Sequence, residues 1–176
     1  MVVVGIVVMI WCALRIAEHV LSVLDTVVLR EEGAVEACSR QHVPLLLANL
    51  AVPALVLAAC WLAVRRGEPV TVGPATWAWL AVLVVAECVH WWAIATLGRR
   101  WTTGVLVLPG EAPVVRGPYR WLRHPGYAAG VTSAVALPLV AGAWVVAAPV
   151  AVMFAVVVVL RVRCEDRAWL DVGAAA

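Results

Sequence analysis

The chain has 176 residues, 65% of them hydrophobic, a mean hydropathy of +0.99 and a formal charge of only +2. Soluble domains are about 45–50% apolar, so these values exclude a water-soluble globular fold, and the small charge argues against nucleic acid as a partner. All basic residues are Arg, and Ala and Val abound, a usage that points to GC-rich bacterial coding. The Cys at 12, 38, 60, 88 and 164 form no CxxC pair, hence neither a zinc pattern nor a disulfide framework. All but Cys164 read as small apolar fillers.

A membrane-crossing helix needs about 20 apolar residues. The first is predicted over 2–24, with Arg15, Glu18 and His19 on one face inside it. The i,i+3 spacing of Arg15 and Glu18 lets the two charges neutralise each other. The N-terminus has no basic n-region and no small-residue cleavage site, so it reads as a retained span. A second, uncharged span is predicted over 43–64, with Pro44 and Pro53 inside it, and a third over 75–97, carrying Glu87 and His90 on one face. The apolar run 127–160 is too long for one helix. Pro138 and Gly142 divide it into a short arm and a longer helix over 143–160, which together make a tight hairpin. The short arm cannot cross a core of about 30 Å alone. The expected fold is an all-α integral membrane protein of about five transmembrane helices. It forms one domain over 1–176: three spans in 1–97, a connector at 98–127, the hairpin at 128–160 and a terminal segment at 161–176.

Arg residues at 30, 40, 99, 100, 116, 120, 123, 161, 163 and 167 fall on one side of these spans, and Arg65 and Arg66 on the other. The positive-inside rule makes the first side cytoplasmic and the N-terminus external. The hairpin returns the chain, so two polar clusters share the cytoplasmic face. One is the run from Arg116 to Tyr127, where Pro118 and Pro125 each fix φ and aim His124 and Tyr127 inward. The other is Arg161 to Arg167, in which Arg161 and Glu165 are an i,i+4 pair and Arg163 shares a face with Asp166. A carboxylate there suits an ammonium group, and an Arg suits an anion. As plain interface anchors these residues would have no need of the His124 imidazole. Glu87 and His90 either face a substrate channel or bond to neighbouring helices. Glu18, His19, Glu87 and His90 are metal-ligating residue types without a metal motif, so no metal is expected. No GxGxxG or P-loop is present.

Three stretches carry a resemblance: Gly117-Pro118-Tyr119-Arg120, Arg123-His124-Pro125-Gly126-Tyr127 and Arg163-Cys164-Glu165-Asp166. They resemble the isoprenylcysteine carboxyl methyltransferase family and its phospholipid methyltransferase relatives. The stretches Leu97 to Thr103, Val107 to Gly110 and, more distantly, Leu29 to Glu36 look like the bacterial branch. The resemblance implies S-adenosylmethionine as cofactor, bound at the cytoplasmic face. His124, Pro125 and Tyr127 would line its pocket, Glu165 would hold its amino group, and Gly117 and Tyr119 would border the adenosyl part. Arg163, Glu165 and His124 would be catalytic, with Arg163 orienting the acceptor anion. Arg163, Asp166, Glu87 and His90 would contact the substrate. The expected acceptor is a carboxylate or hydroxyl on a prenyl, alkyl-phenol or alkyl-pyrone lipid that enters from the bilayer, with no obligate protein partner. Localisation in a bacterial cytoplasmic membrane follows. Two departures from the family pattern stand out: Asp166 replaces a second Glu, and the chain ends soon after Leu170, without an aromatic-rich tail. One competing reading is an NADPH-dependent reductase of the sterol-reductase type, which has Asn where Gly126 stands. The other is a membrane scaffold without catalysis.

Overall fold

The computed structural model describes residues 2–38, 42–68, 72–109 and 111–174. In chain order these form α1 (Val2–Glu31), β1 (Val35–Ala37), α2 (His42–Arg65), α3 (Pro74–Leu97), β2 (Val105–Val107), α4 (Pro125–Val140) and α5 (Trp144–Ala174). Short 3-10 turns at Gly98–Arg100 and Gly117–Arg120 punctuate the connector. The fold is the expected all-α membrane bundle. α1, α2, α3 and α5 are long and apolar enough to cross a membrane, whereas α4 is shorter. At 16 residues, α4 extends only about 24 Å at 1.5 Å per residue. It is instead the buried centre of the bundle, with Ala134, Ala136, Leu137 and Val140 almost wholly enclosed.

The core joins all five helices. Val8 and Trp11 of α1, Val52 and Val56 of α2 and Leu83 of α3 meet Leu137 of α4 and Val150 and Phe154 of α5. Leu47, Leu57, Val84, Val85, Val152 and Val156 point outward, giving the spanning helices the apolar exterior that lipid requires.

The hairpin turns where a glycine permits it. Gly142 has φ +71°. Its N–H donates to Leu139 O (3.1 Å) and the Ala143 N–H to Pro138 O (2.8 Å), the paired bonds that close a helix end when the following residue is left-handed. Pro138 therefore lies inside α4, and the break falls at Gly142. α1 and α2 end in the same way at Gly33 and Gly67. Past the hairpin, α5 runs unbroken through 161–174, so the expected terminal segment continues the last span as helix.

Two features depart from expectation. β1 and β2 pair antiparallel, Val35 opposite Val107 and Ala37 opposite Val105, which joins the α1–α2 loop to the α3–α4 connector. Cys38, one residue past β1, forms a disulfide with Cys164 of α5 across 126 positions of sequence, with Cα atoms 6.5 Å apart. The expectation that the cysteines form no disulfide is thus corrected. The helix face bearing Cys164 and Ala168 packs on Val105 and Val107 of β2, which brings the two sulfurs within bonding reach. Cys12, Cys60 and Cys88 remain free.

Candidate cofactor and acceptor site

The connector, the first turn of α4 and the second half of α5 enclose a hollow of about 570 Å³. Small-molecule sites commonly measure roughly 300–1,000 Å³. Tyr119, His124 and Tyr127 line one wall; Arg161, Glu165, Asp166 and Trp169 line the other. Turning back at Gly142 is what places the two sequence clusters opposite each other.

Tyr127 is the hub. Its hydroxyl donates to Glu165 Oε2 (2.9 Å) and accepts from Arg161 Nε (2.7 Å). Arg161 is 3% exposed. Its Nη2 donates to the carbonyls of Thr102 and Gly104, each at 3.1 Å, while its Nη1 is buried without a partner. Those carbonyls are held in turn: the Thr103 N–H donates to the buried Ser22 Oγ (2.6 Å) of α1, and Thr102 Oγ1 donates to Gly104 O (2.9 Å). Arg161 therefore ties the connector backbone to Tyr127 and leaves one buried donor unpaired.

His124 stacks on Tyr127, ring centroids 5.4 Å apart and planes 18° from parallel. Its Nδ1 lies 3.9 Å from Glu165 Oε2 and its Nε2 4.0 Å from Asp166 Oδ1. The Nε2 has no hydrogen-bond partner. Asp166 also pairs with Arg123 Nη2 at 2.9 Å. Burial, reinforced by the negative charge of Glu165, holds the Tyr119 phenol well above its usual range, so Tyr119 stays a neutral donor.

Of the residues singled out in the sequence, Tyr119, His124, Tyr127, Glu165 and Asp166 line this hollow. Gly117 and Pro125 frame it without lining it. Gly117 has φ +56°, and a Cβ there would lie 2.5 Å from Thr96 Oγ1, so the loop sits directly on the end of α3. Gly117→Ala is expected to cost about 1–2 kcal/mol from left-handed strain alone, read as a lower thermal unfolding midpoint. An unchanged midpoint would show that the loop gives up its left-handed turn at Gly117 without cost. Pro125 is buried at the head of α4.

Arg163 is exposed and outside the hollow, whereas Arg161 lines it. Helical phase carries the signal: 161 and 165 are one turn apart, whereas 163 is about 200° from 161. Glu87 and His90 also lie outside the hollow. Glu87 accepts from Ser133 Oγ and pairs with Arg15 Nη2 at 2.7 Å. Arg15 Nη1 pairs with Glu18 at 2.7 Å, and Trp11 Nε1 donates to Ser133 Oγ at 2.7 Å. His90 closes the network, with Nε2 3.1 Å from Arg15 Nη1 and 3.2 Å from Glu18 Oε1. This leaves Glu87 fully engaged within the bundle. His19, adjacent to Glu18, makes no ion pair among the described residues.

Uncharacterized protein YpbQ of Bacillus subtilis (strain 168) is 38% identical over 98 residues, which cover 54% of this chain and 58% of that protein. The chain thus matches little more than half the length of this relative. No solved structure matches. The profile of the isoprenylcysteine carboxyl methyltransferase family matches residues 79–171, which include α4, all but the last three residues of α5 and every residue of the Tyr127 cluster. By that match, over more than half of its length, the chain belongs to the isoprenylcysteine carboxyl methyltransferase (ICMT) family, a family of methyltransferases.

Proposed function

We propose that this membrane protein is an S-adenosylmethionine-dependent O-methyltransferase whose acceptor is a carboxylate or hydroxyl on a prenyl, alkyl-phenol or alkyl-pyrone lipid. The observation that carries this reading is the Tyr127 cluster, an acid, a phenol and a buried guanidinium around one hollow that lies between two halves of a family motif. The residues fit the cofactor chemically. Glu165 and Asp166 offer carboxylates for an ammonium group, and His124 Nε2 and Arg161 Nη1 are buried polar atoms without partners. Such groups are costly unless a ligand or water meets them.

When bound, S-adenosylmethionine supplies an electrophilic sulfonium methyl for in-line displacement. The chain supplies placement. Glu165, fixed by the Tyr127 hydroxyl, holds the amino group. Trp169 and Tyr119 close the sides of the hollow. Arg161 Nη1 draws the acceptor oxygen toward the reacting centre, the role first given to Arg163. A carboxylate acceptor needs no base, whereas a hydroxyl gives up its proton to His124 or Glu165. Asp166 is one methylene shorter than Glu, and its pairing with Arg123 sets it at the rim of the hollow.

Lipid mass spectrometry of host cells with and without the protein tests this function. A lipid gaining the mass of one methylene in cells that carry it, and not with Glu165→Gln, is the expected outcome. Identical lipid profiles across all strains would reject it.

The distribution of Arg favours a cytoplasmic hollow. Cys38 and Cys164 lie at the same end, and a reducing cytosol opens disulfides. Rapid acid quenching of growing cells, followed by thiol alkylation, is therefore expected to find both cysteines as thiols, with the bond closing on aerobic purification. A bond already closed in growing cells would place this face outside.

A further inference from the structure

We propose that His90 is a positioning residue of the candidate site, acting through the backbone of Gly126 to set the height of the Tyr127 hydroxyl. The role rests on reading the hollow as the S-adenosylmethionine site, although the geometry of the clamp stands without it. His90 is 4% exposed on α3 and outside the hollow. Its Nδ1 lies 3.0 Å from Gly126 O. A carbonyl only accepts, so Nδ1 carries a proton. The other ring nitrogen faces Arg15 Nη1 at 3.1 Å and Glu18 Oε1 at 3.2 Å. A neutral ring accepts there from Arg15; a protonated ring donates there to Glu18. In both states Nδ1–H stays aimed at Gly126, so the Arg15–Glu18 pair fixes the orientation of the clamp as a second-layer partner does for a ligating imidazole.

The clamped turn has little freedom elsewhere. The His90 ring meets Trp101 edge-on, with centroids 5.4 Å apart. A Cβ on Gly126 would lie 3.0 Å from the Trp101 ring and 3.7 Å from Ala93 Cβ, and one on Gly130 would lie 3.7 Å from the His90 ring. Gly126 and Gly130, one turn apart, bring α4 close onto α3. Tyr127 follows Gly126 directly, and its hydroxyl holds both Glu165 (2.9 Å) and Arg161 (2.7 Å). Contacts this short do not survive a shift of about 1 Å, and displacement on that scale is costly in a reacting geometry. The buried charge network of α1 and α3 is thereby linked to the placement of one phenol at the hollow.

Two substitutions separate the clamp from the network. In His90→Asn the amide nitrogen falls near Nδ1, which keeps the bond to Gly126 and gives up Arg15 and Glu18. In His90→Gln it falls near Nε2, which does the reverse. For purified protein, the expected pattern crosses. His90→Asn has the lower thermal midpoint but binds S-adenosylhomocysteine within about twofold of native, while His90→Gln keeps its midpoint and binds about tenfold more weakly, roughly 1.4 kcal/mol. Affinity that follows the midpoint in both variants, or native affinity in both, would overturn the proposal.

A cofactor-free arm keeps this result distinct from failure of the functional reading. The chain has two Tyr, so 3-fluorotyrosine labelling gives two fluorine NMR lines, assigned with Tyr119→Phe. The Tyr127 line is expected to move in His90→Gln and to stay in His90→Asn. A Tyr127 line at its native position in His90→Gln would overturn the clamp. If native protein fails to bind S-adenosylhomocysteine while the fluorine pattern appears as expected, it is the cofactor reading that fails.

Discussion

Arg15→Leu is expected to cost about 3–5 kcal/mol of stability, the range for breaking a buried ion pair by removing one partner. Arg15 holds two carboxylates, Glu18 through Nη1 and Glu87 through Nη2, each at 2.7 Å, with all three side chains about nine-tenths buried. Leu fills the space but leaves both acids without their cation among apolar helices, where an unpaired charge has no water to turn to. Thermal unfolding in detergent measures the loss as a lower midpoint and a smaller folded yield. Adding Glu18→Gln and Glu87→Gln to Arg15→Leu is expected to recover part of it, because the stranded charges go with the cation. A single variant as stable as native would show that water reaches the cluster. A stable but inactive one would move the pair into the active site.

Glu165→Gln is expected to weaken S-adenosylmethionine binding about tenfold to a hundredfold. A hydrogen bond to a charged group contributes about 1.5–3 kcal/mol, and each 1.4 kcal/mol is about a factor of ten. Gln keeps an oxygen that can accept from Tyr127, so the fold and the hub are preserved while the charge goes. A calorimetric titration of native protein and variant, each checked for an unchanged unfolding midpoint, gives the ratio. Equal affinities would remove Glu165 from the cofactor site and leave its contact with Tyr127 as a purely structural one.

These expectations separate what was legible in the sequence from what was not. The spans were readable because lipid demands long apolar runs, and the hairpin because Gly142 offers the backbone a left-handed turn. Those two features, with the family motifs, are enough to bring His124 and Glu165 to one hollow. The side-chain partners across helices were not readable. Glu87 is 72 positions from Arg15, and no local spacing selects it over Glu18 as a second acid. The Cys38–Cys164 bond likewise joins residues that only the β1–β2 pairing and the packing of α5 bring together. The placing of Arg161 is a different case. The motif drew attention to Arg163, next to Cys164, although the i,i+4 relation already put Arg161 on the face of Glu165. The motif fixed the neighbourhood, and helical phase fixed which Arg faces in.

The proposed function requires one small molecule, S-adenosylmethionine, to lie between the Tyr119–Tyr127 wall and the Arg161–Trp169 wall. Ultraviolet cross-linking of methyl-labelled S-adenosylmethionine to the purified protein, followed by peptide mapping, tests it most directly. Label in peptides covering 116–127 and 161–170, displaced by S-adenosylhomocysteine and not by NADPH, is the predicted result. Label that NADPH displaces and S-adenosylhomocysteine does not, or label confined to other helices, would contradict it.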